Sequence, residues 1–240
     1  MPEIDLIPLP PEDAIAFFRA KGFRFSWRWQ DMWHQDHQRA FTVAKAMRQD
    51  ILDVIREAVD EALDLGGTFA EFRDQLTPLL QEKGWWGRQE FAGEEVQLGS
   101  PHRLRTIFNT NLQVAYSVGH YRQMTDPDVL AARPFWRYVA VNDSRTRPAH
   151  RSWHNTVLPA DHAWWDTHMV PNGWNCRCRV VSVSEREMAR DGLKVTENPD
   201  TRMVMKTDPR TGEAALFPFG IDPGWDYNPA KIWPAMKGEA

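Results

Sequence analysis

The spacing of apolar side chains predicts two consecutive helices in the first part of the chain. Between residues 36 and 65, apolar residues recur at steps of three and four, which is typical of one buried helix face. They are Phe41, Ala44, Met47, Ile51, Ile55, Val59 and Ala62. Glycines at 66 and 67 end this pattern, and Thr68 with Glu71 predicts a capping box for a second helix. The predicted inner face of that helix is Phe72, Leu76, Leu79 and Leu80.

The pattern changes after residue 100 and predicts a mixed region. Ser100 and Pro101 are typical of a helix start, and an apolar face follows for about 24 residues. Residues 135–141 and 176–184 predict two strands, and residues 185–192 predict a short helix. We therefore expect an α+β protein: a helical N-terminal half (1–90), a small mixed α/β domain (100–192) and an extended C-terminal tail (193–240). Residues 143–175 are expected to form a Trp-rich or metal-pinned loop.

Composition excludes several classes of protein. The 240-residue chain carries a net charge of −4, with 42% hydrophobic and 26% charged residues, as expected of a soluble globular protein. It has no apolar run of about 18 residues for a membrane span, and its N-terminus does not resemble a secretory signal. The two cysteines, Cys176 and Cys178, are too close in sequence for a favourable mutual disulfide. A cytosolic or particle-assembly location is expected.

A cluster of potential metal ligands lies between residues 143 and 178. If the segment of His150 and His154 is helical, both imidazoles point the same way, and if Cys176 and Cys178 lie on a strand, both thiols share a face. Two histidines and two cysteines are a suitable ligand set for tetrahedral zinc. His162 and His168 are substitute candidates. Three interpretations stay open: a structural zinc site, a plain structural loop and a catalytic metal site.

Two further features have functional and structural interpretations. Residues 101–151 contain eight Arg, no Lys and three Asp, which suits nucleic-acid contact, a protein interface or a solvated helix face. Asp143 and Arg145 suit either an acid–electrophile pair or a salt-bridged turn. The chain lacks the phosphate-binding loops, the G-x-S-x-G nucleophile motif and the H-E-x-x-H zinc motif.

A distinctive series of short motifs lies between residues 143 and 178. It combines D-S-R-T-R-P-A-H at 143–150, W-H at 153–154, W-D-T-H at 165–168 and P-N-G-W-N-C-R-C at 171–178. This block resembles the phage Mu F-like family of minor head (head morphogenesis) proteins. Residues 14–25, 40–45, 83–87, 105–116, 138–141, 157–159 and 224–229 also resemble family members.

The resemblance implies a non-enzymatic minor capsid component of a tailed phage or prophage, acting in head assembly and in DNA packaging or delivery. The implied partners are the portal protein, capsid or scaffold subunits and packaged DNA, with no membrane. The implied location is the capsid interior or portal vertex, and the host cytoplasm during assembly.

The resemblance also bears on the metal site. Some relatives place Cys at the position of His150 and a further His where this chain has Gly173. The resemblance therefore implies His154 as the fourth ligand of a structural zinc ion. The alternative is a metal-dependent nuclease or hydrolase that uses three of the four ligands, with Asp143 or Asp161 as general base.

Overall fold

The fold is given by a computed structural model that describes residues 11–27, 40–207, 212 and 214–236. Helices dominate its first part, and two short strand pairs accompany them. In chain order the elements are α1 (Glu12–Arg19), β1 (Gly22–Phe23), β2 (Ala40–Phe41), α2 (Gln49–Leu65), α3 (Phe69–Glu82), β3 (Arg88–Phe91) and β4 (Glu94–Gln97). Strands β1 and β2 pair in parallel, and β3 and β4 form an antiparallel hairpin.

The second part mixes helices and strands, which confirms the predicted α+β class. Its elements are α4 (Pro101–Met124), α5 (Pro127–Ala132), β5 (Phe135–Val139), α6 (Pro148–Ser152), β6 (Val157–Pro159), α7 (Trp165–His168), β7 (Arg179–Val183), α8 (Glu185–Asp191), β8 (Met203–Thr207), β9 (Ala214–Pro218) and α9 (Pro229–Met236). Strand β5 lies between β6 and β7 in an antiparallel three-stranded sheet. Strands β8 and β9 form a separate hairpin where an extended tail is expected.

One buried core joins both parts of the chain around the long helix α4. Helices α1, α2 and α3 pack on α4 from the first part, and α9 packs on it from the C-terminal part. The core cluster extends from Ala14 in α1 to Trp233 in α9, and it includes the tryptophans Trp136, Trp153 and Trp165. These large rings are almost completely buried, so most of this set serves packing, as expected of tryptophan in a core.

Several sequence predictions are confirmed in detail. Helix α4 has the predicted 24 residues and Ser100 as its N-cap, with the Ser100 hydroxyl accepting from the Arg103 N–H. The capping box of Thr68 and Glu71 is present at the start of α3. Helix α2 ends before Gly66, as predicted. These features are set by local chemistry, which explains why a local pattern was sufficient to find them.

Other predictions were wrong. Helix α2 begins at Gln49 rather than near residue 36, because Phe41 belongs to β2 and Arg48 is extended. Leu79 is 43% exposed, although the other three residues of its predicted face are buried. The polar segment from residue 87 to 99 predicts a loop, but it contains the β3–β4 hairpin. The second strand begins at Arg179, so Cys176 and Cys178 precede it. The alternating aromatic residues of segment 23–29 suit either a strand or an aromatic arm. Only Phe23 lies on a strand, and residues 28 and 29 lie outside the described part.

Candidate metal centre

Three of the four predicted ligands meet at one point in the fold. His150 lies on α6, which begins with Pro148 as its first residue. Cys176 and Cys178 lie on the extended segment that leads into β7. One ligand atom of each of the three residues lies within 4.8 Å of the other two, and all three side chains are buried. The structure therefore forms a cluster of one imidazole and two thiols.

The imidazole of His150 is fixed by contacts on two sides. Its Nε2 lies 3.0 Å from the carbonyl oxygen of Gly220, and because a carbonyl only accepts, Nε2–H is the donor. In the neutral ring, Nδ1 then has a free lone pair, and it lies 3.7 Å from the Sγ atoms of both Cys176 and Cys178. The ring also stacks on Trp153 at 5.1 Å between centroids. The free lone pair of His150 therefore faces the two sulfurs.

The two cysteines differ in acidity. Interaction with the neighbouring Cys176 thiol lowers the pKa of the Cys178 thiol. The same interaction, with burial, raises the pKa of Cys176 well above its usual value. The cluster thus favours one thiolate beside one thiol, and a thiolate is the form that attacks electrophiles and binds metals.

Tyr138 and Asn172 form a buried polar pair beside the cysteines. Burial raises the pKa of Tyr138 well above 10, so its hydroxyl keeps its proton and donates to Oδ1 of Asn172 at 2.9 Å. Asn172 in turn donates through Nδ2 to the carbonyl oxygen of Met169 at 3.3 Å. These bonds connect strand β5 to the segment before Cys176, so they position one side of the cluster.

His154 does not join the cluster. The expectation that His150 and His154 point the same way requires a helix through both residues, but α6 ends at Ser152. Asn155, which follows His154, has a left-handed backbone with φ 67°, so the chain turns back towards β5. His154 Nδ1 accepts a hydrogen bond from the Ala140 N–H at 3.2 Å. The local contacts of His154 are therefore those of a turn that joins α6 to the sheet.

The two substitute histidines also have other contacts. His162 Nδ1 accepts from the Trp164 N–H at 3.1 Å, at the start of the turn that leads into α7. His168 stacks on Trp164 at 4.0 Å between centroids, and burial lowers the pKa of His168 to about 4. Neither residue belongs to the group of close ligand atoms found in the described part of the chain.

A groove of about 970 Å³ opens above the cluster, between one face of α4 and the segments 145–147 and 174–180. Its lining includes His150, Cys176 and Cys178. Five arginines also line it, and no carboxylate of the described residues does: Arg105, Arg145, Arg147, Arg177 and Arg179. The groove is therefore cationic in a protein whose net charge is −4.

Three of these arginines have carboxylate partners beside the groove, and the longest of these ion pairs joins Arg145 to Asp143 at 3.8 Å. Arg177 binds both oxygens of Asp143, at 2.8 and 2.6 Å, and these hydrogen bonds hold the pKa of Asp143 well below its usual range. Arg147 binds Asp222 at 2.9 Å. Asp143 thus serves a salt-bridged turn, one of the two interpretations that the sequence left open.

Sequence reasoning missed the carbonyl of Gly220 and the pair of Tyr138 and Asn172. Gly220 lies 70 residues after His150 and contributes only a backbone atom, so side-chain spacing gives no signal for it. Tyr138 lies on the predicted strand 135–141, and a polar ring on an otherwise buried strand face is the one signal that could have identified it.

The sequence of the chain matches a family of phage proteins. The family model described as "Phage Mu protein F like protein" matches residues 53–181, which include His150, Cys176 and Cys178. The chain belongs to this family.

Two curated relatives resemble the chain beyond the segment matched by the family model. It is 46% identical over 240 residues to the "Putative capsid assembly protein F" of Escherichia phage Mu, a match that covers 92% of this chain and 54% of the relative. It is 41% identical over 220 residues to the "Mu-like prophage FluMu F protein" of Haemophilus influenzae, covering 85% of this chain and 52% of the relative. The chain thus spans about half the length of these relatives. No solved structure matches it.

Proposed function

We propose that this protein is a non-enzymatic component of a tailed-phage or prophage head that acts during capsid assembly. The observation that carries the proposal is the 46% identity to the relative named as a capsid assembly protein, over 92% of this chain. The match to the family model over residues 53–181 supports the same role. The proposed location is the capsid interior or portal vertex, and the host cytoplasm during assembly.

The proposed partners are the portal protein and capsid or scaffold subunits. An exposed apolar face on the β8–β9 hairpin supports docking to another protein. Met205 and Leu216 face each other in the strand register and are 61% and 58% exposed, and Met203 nearby is 51% exposed. A two-stranded hairpin gains stability when a partner covers its exposed apolar face. None of the helices in the described part of the chain has the length and apolar character of a membrane span.

Packaged DNA is a second proposed contact, and the cationic groove supports it. Arg105 and Arg179 are exposed residues of its lining, and arginine binds phosphate through two parallel hydrogen bonds. If the groove contacts DNA, the double variant Arg105→Gln with Arg179→Gln binds a short duplex more weakly. The slope of its log binding constant against log salt concentration is then smaller by about two. Arg88→Gln on the β3–β4 hairpin is the control. Equal salt dependence in all three proteins would exclude the groove as a DNA contact.

Hydrolysis is less well supported than an assembly role. A general base needs a pKa near the working pH, whereas hydrogen bonds from Arg177 lower the pKa of Asp143. Asp161 is exposed and does not belong to the lining of the groove. Neither carboxylate therefore suits the role of base for water bound at the His–Cys cluster.

A chimeric phage tests the proposed function. In Escherichia phage Mu, the part of F that matches this chain is exchanged for this chain, and heads are counted by electron microscopy together with infectious particles. We expect the chimera to assemble DNA-filled heads and the chain to be present in purified particles. The absence of heads, despite a folded chimeric protein in the cell, would contradict the proposal.

Two single substitutions in the chimera test the docking surface. Met205→Asp places a charge on the exposed face of the β8–β9 hairpin, and we expect it to reduce incorporation of the chain into heads. Met47→Asp is the matched control, because Met47 is 48% exposed and lies outside this hairpin. Equal incorporation of both variants would show that the hairpin face is not the docking surface.

A further inference from the structure

We propose that His150 Nδ1, Cys176 Sγ and Cys178 Sγ bind one Zn²⁺ ion, whose fourth coordination position opens into the groove. The inference is independent of the assembly role, because it rests on the geometry and chemistry of three side chains. It also differs from the site expected from the sequence, in which His154 supplies a fourth protein ligand.

The distances in the cluster fit tetrahedral zinc. Zinc lies at about 2.0 Å from a histidine nitrogen and about 2.3 Å from a cysteine sulfur, so a tetrahedral N···S edge is about 3.5 Å. In the structure, His150 Nδ1 lies 3.7 Å from each of the two sulfurs. The ligand atoms of all three residues lie within 4.8 Å of one another. An ion therefore fits between them with little movement of the side chains.

The His150 ring is held in the orientation that a metal ligand needs. Metal-binding histidines usually donate their second ring N–H to a carbonyl or carboxylate, which fixes the ring and its tautomer. Here the Gly220 carbonyl accepts from Nε2 at 3.0 Å, and Trp153 stacks on the ring. The lone pair of Nδ1 is therefore aimed at the sulfurs before any ion binds.

The ligand types select the metal. Two thiolates and one imidazole favour zinc and other borderline or soft ions, whereas Mg²⁺ and Ca²⁺ require oxygen ligands. No carboxylate or further histidine of the described residues belongs to the cluster, so the ligand set is S₂N. Zinc is the ion of this class that suits a tetrahedral site without redox chemistry.

The fourth coordination position faces the groove because all three ligands belong to its lining. In the described part of the chain, no other histidine, cysteine or carboxylate completes the group. A water molecule or an anionic group held by the arginines of the groove would therefore complete the coordination. Arg145, Arg147 and Arg177 lie on the same lining as the two cysteines.

Metal content tests the proposal on the full chain. The protein is reconstituted with one equivalent of ZnCl₂, passed through a desalting column and measured by elemental analysis. We expect one zinc per chain in the wild type. We expect zinc affinity to fall more than about 100-fold in His150→Gln and in the double variant Cys176→Ser with Cys178→Ser. Removing a group that only hydrogen-bonds to a ligand lowers metal affinity by less than this. His154→Gln is the control and is expected to retain zinc.

Cobalt spectroscopy tests the coordination itself, and it needs only the wild type if the variants fail to fold. Co²⁺ in the site is expected to show tetrahedral d–d bands and a thiolate charge-transfer band, and added azide is expected to shift the d–d bands. X-ray absorption of the zinc form is expected to give two sulfur ligands and at least one imidazole. Absence of bound metal in folded wild type would overturn the proposal. Loss of zinc in His154→Gln, or no response to azide, would overturn the open coordination position.

Discussion

Replacing Gly220 by alanine tests the close contact that holds the His150 ring. Gly220 has φ 83°, and a Cβ at this position would lie 2.4 Å from the Ala149 Cβ and 2.9 Å from Trp153. An L-residue in this backbone region costs about 1 kcal/mol or more. Overpacking of a tight contact typically costs a further 1–3 kcal/mol, roughly. We therefore expect Gly220→Ala to lower the free energy of unfolding by about 3 kcal/mol.

Gly192→Ala is the matched control for this prediction. Gly192 has φ 64°, and no atom lies within 4 Å of the added Cβ, so only the backbone cost of about 1 kcal/mol applies. Urea unfolding of the two variants and the wild type measures both losses. The difference of about 2 kcal/mol between the variants reports the packing of Gly220 against α6. If both variants lose the same stability, the reasoning about this contact is wrong.

The remaining predictions concern buried polar groups and metal removal. The pKa of His168 is about 4 in the folded chain and about 6.5 when unfolded. The neutral His168 ring therefore stabilises the fold fully above pH 6.5, and this part of the free energy of unfolding is lost as the pH falls towards 4. Between pH 7 and pH 4.5, the wild type should therefore lose about 2 kcal/mol more stability than His168→Gln in urea unfolding, and equal losses would contradict this. Tyr138→Phe leaves the buried Asn172 oxygen without its donor and should cost about 2 kcal/mol, whereas Tyr116→Phe on the surface should cost less than about 0.5. A chelator should lower the melting temperature of the zinc form but leave the far-UV circular dichroism of a folded protein at 25 °C, and unfolding at that temperature would contradict this.

Sequence periodicity predicted the parts of the fold that local chemistry decides. Helix α4 has a regular apolar face and a side-chain cap, so both its start and its length follow from the sequence. The same reasoning failed between residues 41 and 47. Phe41 is buried there, but on β2, and Met47 is 48% exposed and precedes the helix. Apolar spacing alone therefore imitates a helical face over a short segment, and strand pairing with β1 decides the outcome.

The site could be predicted only in part for a similar reason. Side chains two residues apart face the same way in an extended segment. The approach of Cys176 and Cys178 to the same histidine therefore follows from their spacing. The direction of His154 depends instead on the residue at which α6 ends, and that end is set by packing against the sheet. The Gly220 carbonyl depends on a contact across 70 residues. The sequence thus predicts the residues whose placement is local and misses the contacts that the tertiary fold sets.

The position of the cluster in the core implies that the fold does not depend on the ion. In small zinc domains the metal replaces a core that the chain is too short to form. Here the core extends from Ala14 to Trp233, and the imidazole of His150 has the Gly220 carbonyl as a partner without any metal. The sulfurs of Cys176 and Cys178 contact its other nitrogen. Because the ring is already held at Nε2 and the core is formed by other residues, zinc would act through mass action, adding stability in proportion to the logarithm of its concentration.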